Sequence, residues 1–192
     1  LKVKILREGE LPVLPSDSTI CPKDTQELTA YKCINGKAVP YEDVAWTAAG
    51  AELDIVGADQ GSKVKVRGTR GTIAPQDNVR AQDNQNASSF AFATVRVVEL
   101  SAIPSPLPEV CVNDEVLLNI SSVPPSRSAV LEWKGDEQGV FEIAGKKPLD
   151  KITTPEVVRV VGKKCGTGYL TVYDEDHPAC SLTIPVTVVP FH

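Results

Sequence analysis

"SAVLEWKGDEQGVFEIAG" (128–145) is the stretch that decides how this chain is read. Trp133 closes one alternating run, and a glycine-bearing turn leads into a second run that ends on another glycine. "EDVAWTAAGAELDIVG" (42–57) repeats that layout around Trp46. Aligning the two tryptophans brings further matches into line. Upstream, "CPKDTQELTAY" (21–31) falls on "CVNDEVLLNIS" (111–121), each opening with cysteine and carrying Asp at the fourth position. Downstream, "KVKVRGTRGTIA" (63–74) falls on "VVRVVGKKCGTGYLTV" (157–172), and "ATVRVVEL" (93–100) on "IPVTVVPF" (184–191). The same signals in the same order mark an internal duplication.

Within each half the apolar period is two. Leu28/Ala30, Val44/Trp46, Leu53/Ile55, Val64/Val66 and Val95/Val97 alternate in the first half. Val116/Leu118/Ile120, Leu131/Trp133, Phe141/Ile143, Val158/Val160, Leu170/Val172 and Val186/Val188 do so in the second. A period of two places every other side chain on one side of a strand, and no stretch holds a helical period. The 15 prolines and 13 glycines fall between the runs as turn punctuation. The expectation is all-β: one sandwich over 1–100, a short proline-rich linker "SAIPSPLPE" over 101–109, and a second sandwich over 110–192. Trp46 and Trp133 are expected in the two cores, each filling the space between its sheets.

Bulk charge narrows the function classes. With 20 basic and 25 acidic residues the net charge is -5, which lacks the basic excess that nucleic-acid binding needs. No apolar run approaches the roughly 18–20 residues that span a bilayer, so no membrane insertion is expected. The chain opens on Leu1 and holds no methionine, which reads as a mature form or an excised fragment. Five cysteines occur without a C-x-x-C pair, and His177 and His192 are isolated, so no zinc site is expected. An odd cysteine count leaves at least one thiol without a partner in the chain.

A tryptophan on the third strand, then an alternating strand and glycine, then G-x-x-x-x-T-V before a valine-rich last strand, resembles bacterial immunoglobulin-like domains. Trp133, "FEIAG", "VVGKKCGTGYLTV" and "LTIPVTV" carry the likeness in the second half. Trp46, "LDIVG", "VKVRGTRGTIA" and "ATVRVV" carry it in the first. It covers most of 20–100 and 108–191. The type is the tandem repeat of bacterial surface proteins and of accessory regions of secreted enzymes. Three features depart from it: the cysteines, a polar insert "PQDNVRAQDNQNASS" (75–89), and extra strand-like sequence over 1–20.

The resemblance implies two tandem immunoglobulin-like sandwiches and an extracellular or cell-surface setting. Its topology also frames the cysteines. Cys111, before the second strand, and Cys165, before the sixth, share one end of the second sandwich and form one candidate disulfide. Cys21 with Cys180, in a head-to-tail tandem, is a second. Cys21 with Cys33, at opposite ends of a strand, is a third.

Candidate chemistry is sparse. Asp174 and Asp176 in "YDEDHPAC" (173–180), and Asp77 and Asp83 in "QDNVRAQDNQN" (76–86), offer hard oxygens to calcium; a solvated acidic turn and a polar loop are the plainer readings. No other cofactor is expected. Asn86-Ala87-Ser88 and Asn119-Ile120-Ser121 match the glycan-acceptor pattern, the second awkwardly within a strand. "RGTRGT" (67–72) reads as a turn, not a phosphate loop. His177 has no nucleophile motif near it, so no catalysis is expected. The halves share core residues and no evident polar site. The expected role is a non-catalytic spacer or adhesion module of a secreted or cell-surface bacterial protein, beside neighbouring domains of a larger chain. The alternatives are a module binding a protein or glycan, and an accessory domain of a larger secreted enzyme.

Overall fold

The computed structural model describes residues 10–73, 78–133 and 139–190, and every regular element among them is a strand. The chain divides into two compact units, Leu1–Val97 and Val98–His192. Unit 1 holds β1 (Val13–Leu14), β2 (Asp17–Ile20), β3 (Thr25–Ile34), β4 (Lys37–Pro40), β5 (Val44–Ala48), β6 (Leu53–Val56), β7 (Lys63–Gly68), β8 (Val79–Asp83) and β9 (Phe90–Val97). One sheet runs β1–β3–β7–β6, with β4 hairpinned on β3; the other runs β2–β9–β8–β5. Leu28, Leu53, Val64 and Val66 from the first sheet meet Val44, Trp46, Val79, Ala81, Val95 and Val97 from the second.

Unit 2 holds β10 (Glu99–Ile103), β11 (Val110–Cys111), β12 (Glu115–Val123), β13 (Ser128–Trp133), β14 (Phe141–Ile143), β15 (Lys151–Thr153), β16 (Glu156–Gly162), β17 (Gly166–Asp174) and β18 (Ser181–Val189). Its sheets run β10–β12–β16–β14 and β11–β18–β17–β13–β15. Leu118, Ile120, Ile143, Val158 and Val160 face Leu131, Trp133, Leu170, Val172, Val186 and Val188. Trp46 and Trp133 are 2% and 5% exposed, and the Trp46 indole N–H donates to the Gly61 carbonyl at 2.8 Å. Each indole therefore sits at the centre of its own core, where burial of some 150–250 Å² dominates local packing.

The proline-rich stretch expected as a linker lies inside unit 2. Glu99–Ile103 pairs with β12, while Val110–Cys111 runs parallel to β18. Pro104, Pro106 and Pro108 cannot donate to a ladder, so they occupy the segment where the opening strand leaves one sheet for the other. Pro15 does the same in unit 1, between β1 paired with β3 and β2 parallel to β9. The expected polar insert is also corrected. Val79–Asp83 is a ladder strand with Val79, Ala81 and Asp83 inward, and inward Asp83 is what hid the alternation. One hairpin went unread. Asn35 and Gly36 take φ of 52° and 71°, the two-residue turn that joins β3 to β4.

A corner is duplicated to the hydrogen bond. The Asp24 N–H donates to the Cys21 carbonyl (3.1 Å), Gly68 to Asp24 (3.0 Å) and Lys23 to Gly68 (2.7 Å). Asp114 to Cys111 (3.0 Å), Gly162 to Asp114 (3.0 Å) and Asn113 to Gly162 (2.8 Å) copy them in unit 2. A Cβ at Gly68 would lie 2.9 Å from the Cys21 carbonyl oxygen, and one at Gly162 only 2.5 Å from that of Cys111. The matched C-x-x-D stretches are thus a backbone requirement, in which the glycine admits the cysteine's carbonyl.

Cys21 and Cys180 are disulfide-bonded, and Cys33, Cys111 and Cys165 are free thiols. The Cys111–Cys165 and Cys21–Cys33 pairings are therefore corrected. Cys111 pairs with Val189 on one side of β18, while Gly166, next to Cys165, pairs with Val188 on the other. Two interstrand spacings put the cysteines roughly 9–10 Å apart, beyond the about 4.4–6.8 Å a disulfide spans. Cys33 lies near the far end of β3, a full strand away from Cys21.

Candidate functional site

The hairpin loops after β8 and β17 match in their backbone hydrogen bonds. They are "DNQNASS" (83–89) and "DEDHPAC" (174–180). The Asp83 N–H donates to the Ser89 carbonyl (3.0 Å), Ser89 to Asn86 (2.8 Å) and Asn84 to Asp43 (2.9 Å). In unit 2 Asp174 donates to Cys180 (3.0 Å), Cys180 to His177 (2.8 Å) and Glu175 to Ser128 (2.9 Å). Each Asp side chain caps its own loop: Oδ1 of Asp83 accepts from the Gln85 N–H (2.9 Å), and Oδ1 of Asp174 from those of Asp176 (3.1 Å) and His177 (2.9 Å). A carboxylate bonding the amide two residues on is how aspartate stabilises a turn.

Both carboxylates are buried, with side-chain exposures of 1% for Asp83 and 0% for Asp174, so each needs a cation. Asp83 accepts from Lys32 Nζ at 3.0 Å and from the Tyr41 hydroxyl at 3.1 Å. The Lys32 ammonium also lies 4.1 Å above the Tyr41 ring. Asp174 receives Arg127 side-on, Nε to Oδ2 at 2.7 Å and Nη2 to Oδ1 at 2.6 Å. Thr154, buried beside it, accepts from the Arg127 N–H (3.1 Å) and fixes where that arginine starts.

Burial pushes the Asp83 carboxyl up, but the Gln85 N–H, Lys32 and Tyr41 outweigh it and hold it below the usual carboxylate range. Burial likewise opposes ionisation of Asp174, and Arg127 with His177 outweighs it. Bonding to the carboxylates in turn raises Lys32 and Arg127. All four groups are charged at neutral pH, and each carboxylate is bound to the cation of its own unit.

That arrangement replaces the calcium reading. Asp83 and Asp174 spend their oxygens on internal cations, and exposed Asp176 lies 3.2 Å from the Arg127 guanidinium. Asp77 lies outside the described residues. Among the described residues no group of three His, Cys, Asp or Glu side chains could hold a metal. His177 stands 3.4 Å from Asp174 Oδ1, over the ion pair. The expectation that the halves share no polar site is corrected: they share a buried, ion-paired aspartate. Its cations were missed because Lys32 and Arg127 come from different places, the end of β3 and the short link before β13.

A second group of residues was legible but unread. In "FAFATVRV" (90–97), Phe90 and Phe92 have the parity opposite to inward Val95 and Val97. They therefore face outward, 48% and 40% exposed, with Arg80 of β8 beside them. Among the described residues no helix is long and apolar enough to cross a membrane.

No protein-family model matches the chain, and no curated protein matches it in sequence. Solved structures match its fold. The C-terminal 282-residue fragment of intimin, in complex with the intimin-binding domain of the translocated intimin receptor, superposes with a TM-score of 0.54 at 16% identity, covering 95% of this chain and 64% of that one. The Yersinia pseudotuberculosis adhesin InvE gives 0.41 at 17%, covering 93% and 58%. The D00–D0 domain of intimin gives 0.46 at 11%, covering 93% and 99%. The chain thus spans about three fifths of the first two. At these identities the likeness is one of fold: the chain is built of immunoglobulin-like β-sandwiches.

Proposed function

We propose that the chain is a non-catalytic adhesion-type module of a secreted or cell-surface bacterial protein, whose sandwiches space and present a contact surface. The observation that carries this reading is the duplicated loop. Its titratable groups, which in an enzyme would be poised for proton transfer, are ionised and consumed in holding a turn. An internal brace repeated at the same end of two sandwiches serves shape. The intimin fragment that shares the fold was solved bound to a receptor domain, which supports a protein partner here. A disulfide suits an oxidising, extracellular setting.

Beads coated with the chain test the reading. Attachment to epithelial cells should be saturable, should exceed that of beads carrying an unrelated pair of immunoglobulin sandwiches, and should fall when the cells are first treated with protease. Attachment no better than the control beads would sink it.

A further inference from the structure

The outward face of β8 and β9 in unit 1 carries a cation that the fold does not use. Arg67, Arg70, Arg96, Arg127 and Arg159 each have a carboxylate partner: Asp54, Glu52, Asp17, Asp174 and Glu115. Arg80 has none among the described residues. Its guanidinium carbon lies 4.7 Å from the centroid of the Phe90 ring, one Nη donates to Gln82 Oε1, and its Nε is buried without a partner. Gln82 is itself held: its amide donates to the loop carbonyls of Ala87 (2.8 Å) and Ser89 (3.2 Å). The guanidinium is thus fixed in place by a ring and by an amide tied to the braced loop. Phe92 completes the patch, its ring centroid 5.6 Å from that of Phe90 at 73°.

The fold does not require these residues. The matched loops set the register between units: Asp83 with Asp174, and Ser89 with Cys180. On that register Arg80 falls on Thr171, Phe90 on Ser181 and Phe92 on Thr183. Unit 2 builds the same sheet with small hydroxyl side chains where unit 1 exposes two phenyl rings and a fixed cation.

We propose that this face docks a protein segment presenting a carboxylate beside an apolar side chain. A fixed, unpaired guanidinium selects a carboxylate, with which it makes paired charge-assisted bonds. Exposed aromatic rings beside an arginine are the side chains that carry binding energy in protein interfaces. The patch favours a peptide over a sugar. Gln82 spends its amide on Arg80 and the loop carbonyls, so the patch offers a ligand one cation, and phenyl rings offer nothing to the several hydroxyls of a sugar, which would be desolvated without partners. The inference deepens the adhesion reading and rests on it.

A random-peptide library displayed on phage and panned on the native chain supplies the probe. Selected peptides should share an Asp or Glu next to an apolar residue. Affinity of a synthetic selected peptide should fall about tenfold or more on Arg80→Gln and on Phe92→Ala. Arg80→Lys should recover part of the loss, and the melting temperature of each variant should stay at the parent value. Replacing the peptide's acid by its amide should weaken binding to the parent but not to Arg80→Gln. A library without binders, binders indifferent to Arg80 or to their own acid, or glycan-array binding of carboxylated sugars lost on Arg80→Gln would each overturn the proposal. So would self-association of the chain abolished by Phe92→Ala. If cell attachment of coated beads persists unchanged in Arg80→Gln, this face is excluded while the adhesion reading stands.

Discussion

The two units solve one problem in two ways. Each buries an aspartate where its penultimate strand enters a hairpin loop, and each brings a cation to it. In unit 1 the strand β3 continues past the sandwich, turns at Asn35-Gly36 and lays Lys32 over the site, with Tyr41 contributing a second donor. In unit 2 the strand stops at Val123, and Arg127 arrives from a short link to supply both donors itself. The distance from the indole differs as well. Asp83 faces Val44, two residues from Trp46, while Asp174 faces Ala129, four residues from Trp133. What the fold holds constant is a charge at a corner; the residue that supplies it, and the strand that carries it, are free to change.

Because each unit has one tryptophan, substitution of either reports on its own core. Trp46→Ala and Trp133→Ala should each cost about 3–5 kcal/mol. In urea, followed by the fluorescence of the remaining indole, the midpoint of the untouched unit should hold while far-ultraviolet circular dichroism shows the other unit melting early. Equal loss of both signals would mean that the two cores unfold as one.

The aspartates come next. Removing one partner of a buried pair strands the other, at about 3 kcal/mol or more where it cannot reach water. Asp174→Ala should approach that figure, since Arg127 is a rigid fork pinned at Thr154. Asp83→Ala should cost less, about 2 kcal/mol, since the flexible lysine stem can carry its ammonium into solvent. Denaturant midpoints that reverse this order would remove the distinction between the braces.

A methyl group at the duplicated glycine should cost about 1–3 kcal/mol, more at Gly162 than at Gly68, because the opposing carbonyl is closer there. Thermal melts of Gly162→Ala and Gly68→Ala compare them directly.

Acid should erase part of the contrast. Both carboxyls are depressed in the folded chain, so their stabilisation is fully present above the unfolded value of about 3.9 and fades as pH falls through the folded value. The stability gap between the parent and Asp174→Ala, read by urea midpoints, should be constant near neutrality and narrow below about pH 4. A gap that stayed constant into strong acid would deny the pair an ionic origin.

Much of this architecture was legible in the sequence. The tryptophans, the C-x-x-D corners and the valine alternation each answer to a local rule: an indole fills a core, a backbone corner needs its glycine, a strand has period two. What stayed hidden depends on residues distant in sequence. Asp83 looked like loop because a polar residue faces inward only when a remote cation permits it. The prolines at 104, 106 and 108 looked like a boundary because leaving one domain and switching sheets within one make the same demand, a break in the ladder. The failed Cys111–Cys165 pairing has the same cause: both cysteines were placed at the correct end, and the strand between them was not foreseen. Phe90, Phe92 and Arg80 could have been found by parity, since inward Val95 and Val97 leave the even positions of that strand to solvent.

The proline-mediated sheet switch has a mechanical consequence. Because β2 runs parallel to β9, and β11 to β18, tension drawing a unit's opening strand away from its last loads the shared ladder lengthwise. Bonds loaded that way resist together, whereas an antiparallel pair pulled at one end would part rung by rung. The parallel clasp is longer in unit 1, where Asp17–Ile20 lies in register against Thr94–Val97, than in unit 2, where Val110–Cys111 pairs with Val188 and Val189, so lengthwise load on that ladder is shared by more bonds in unit 1.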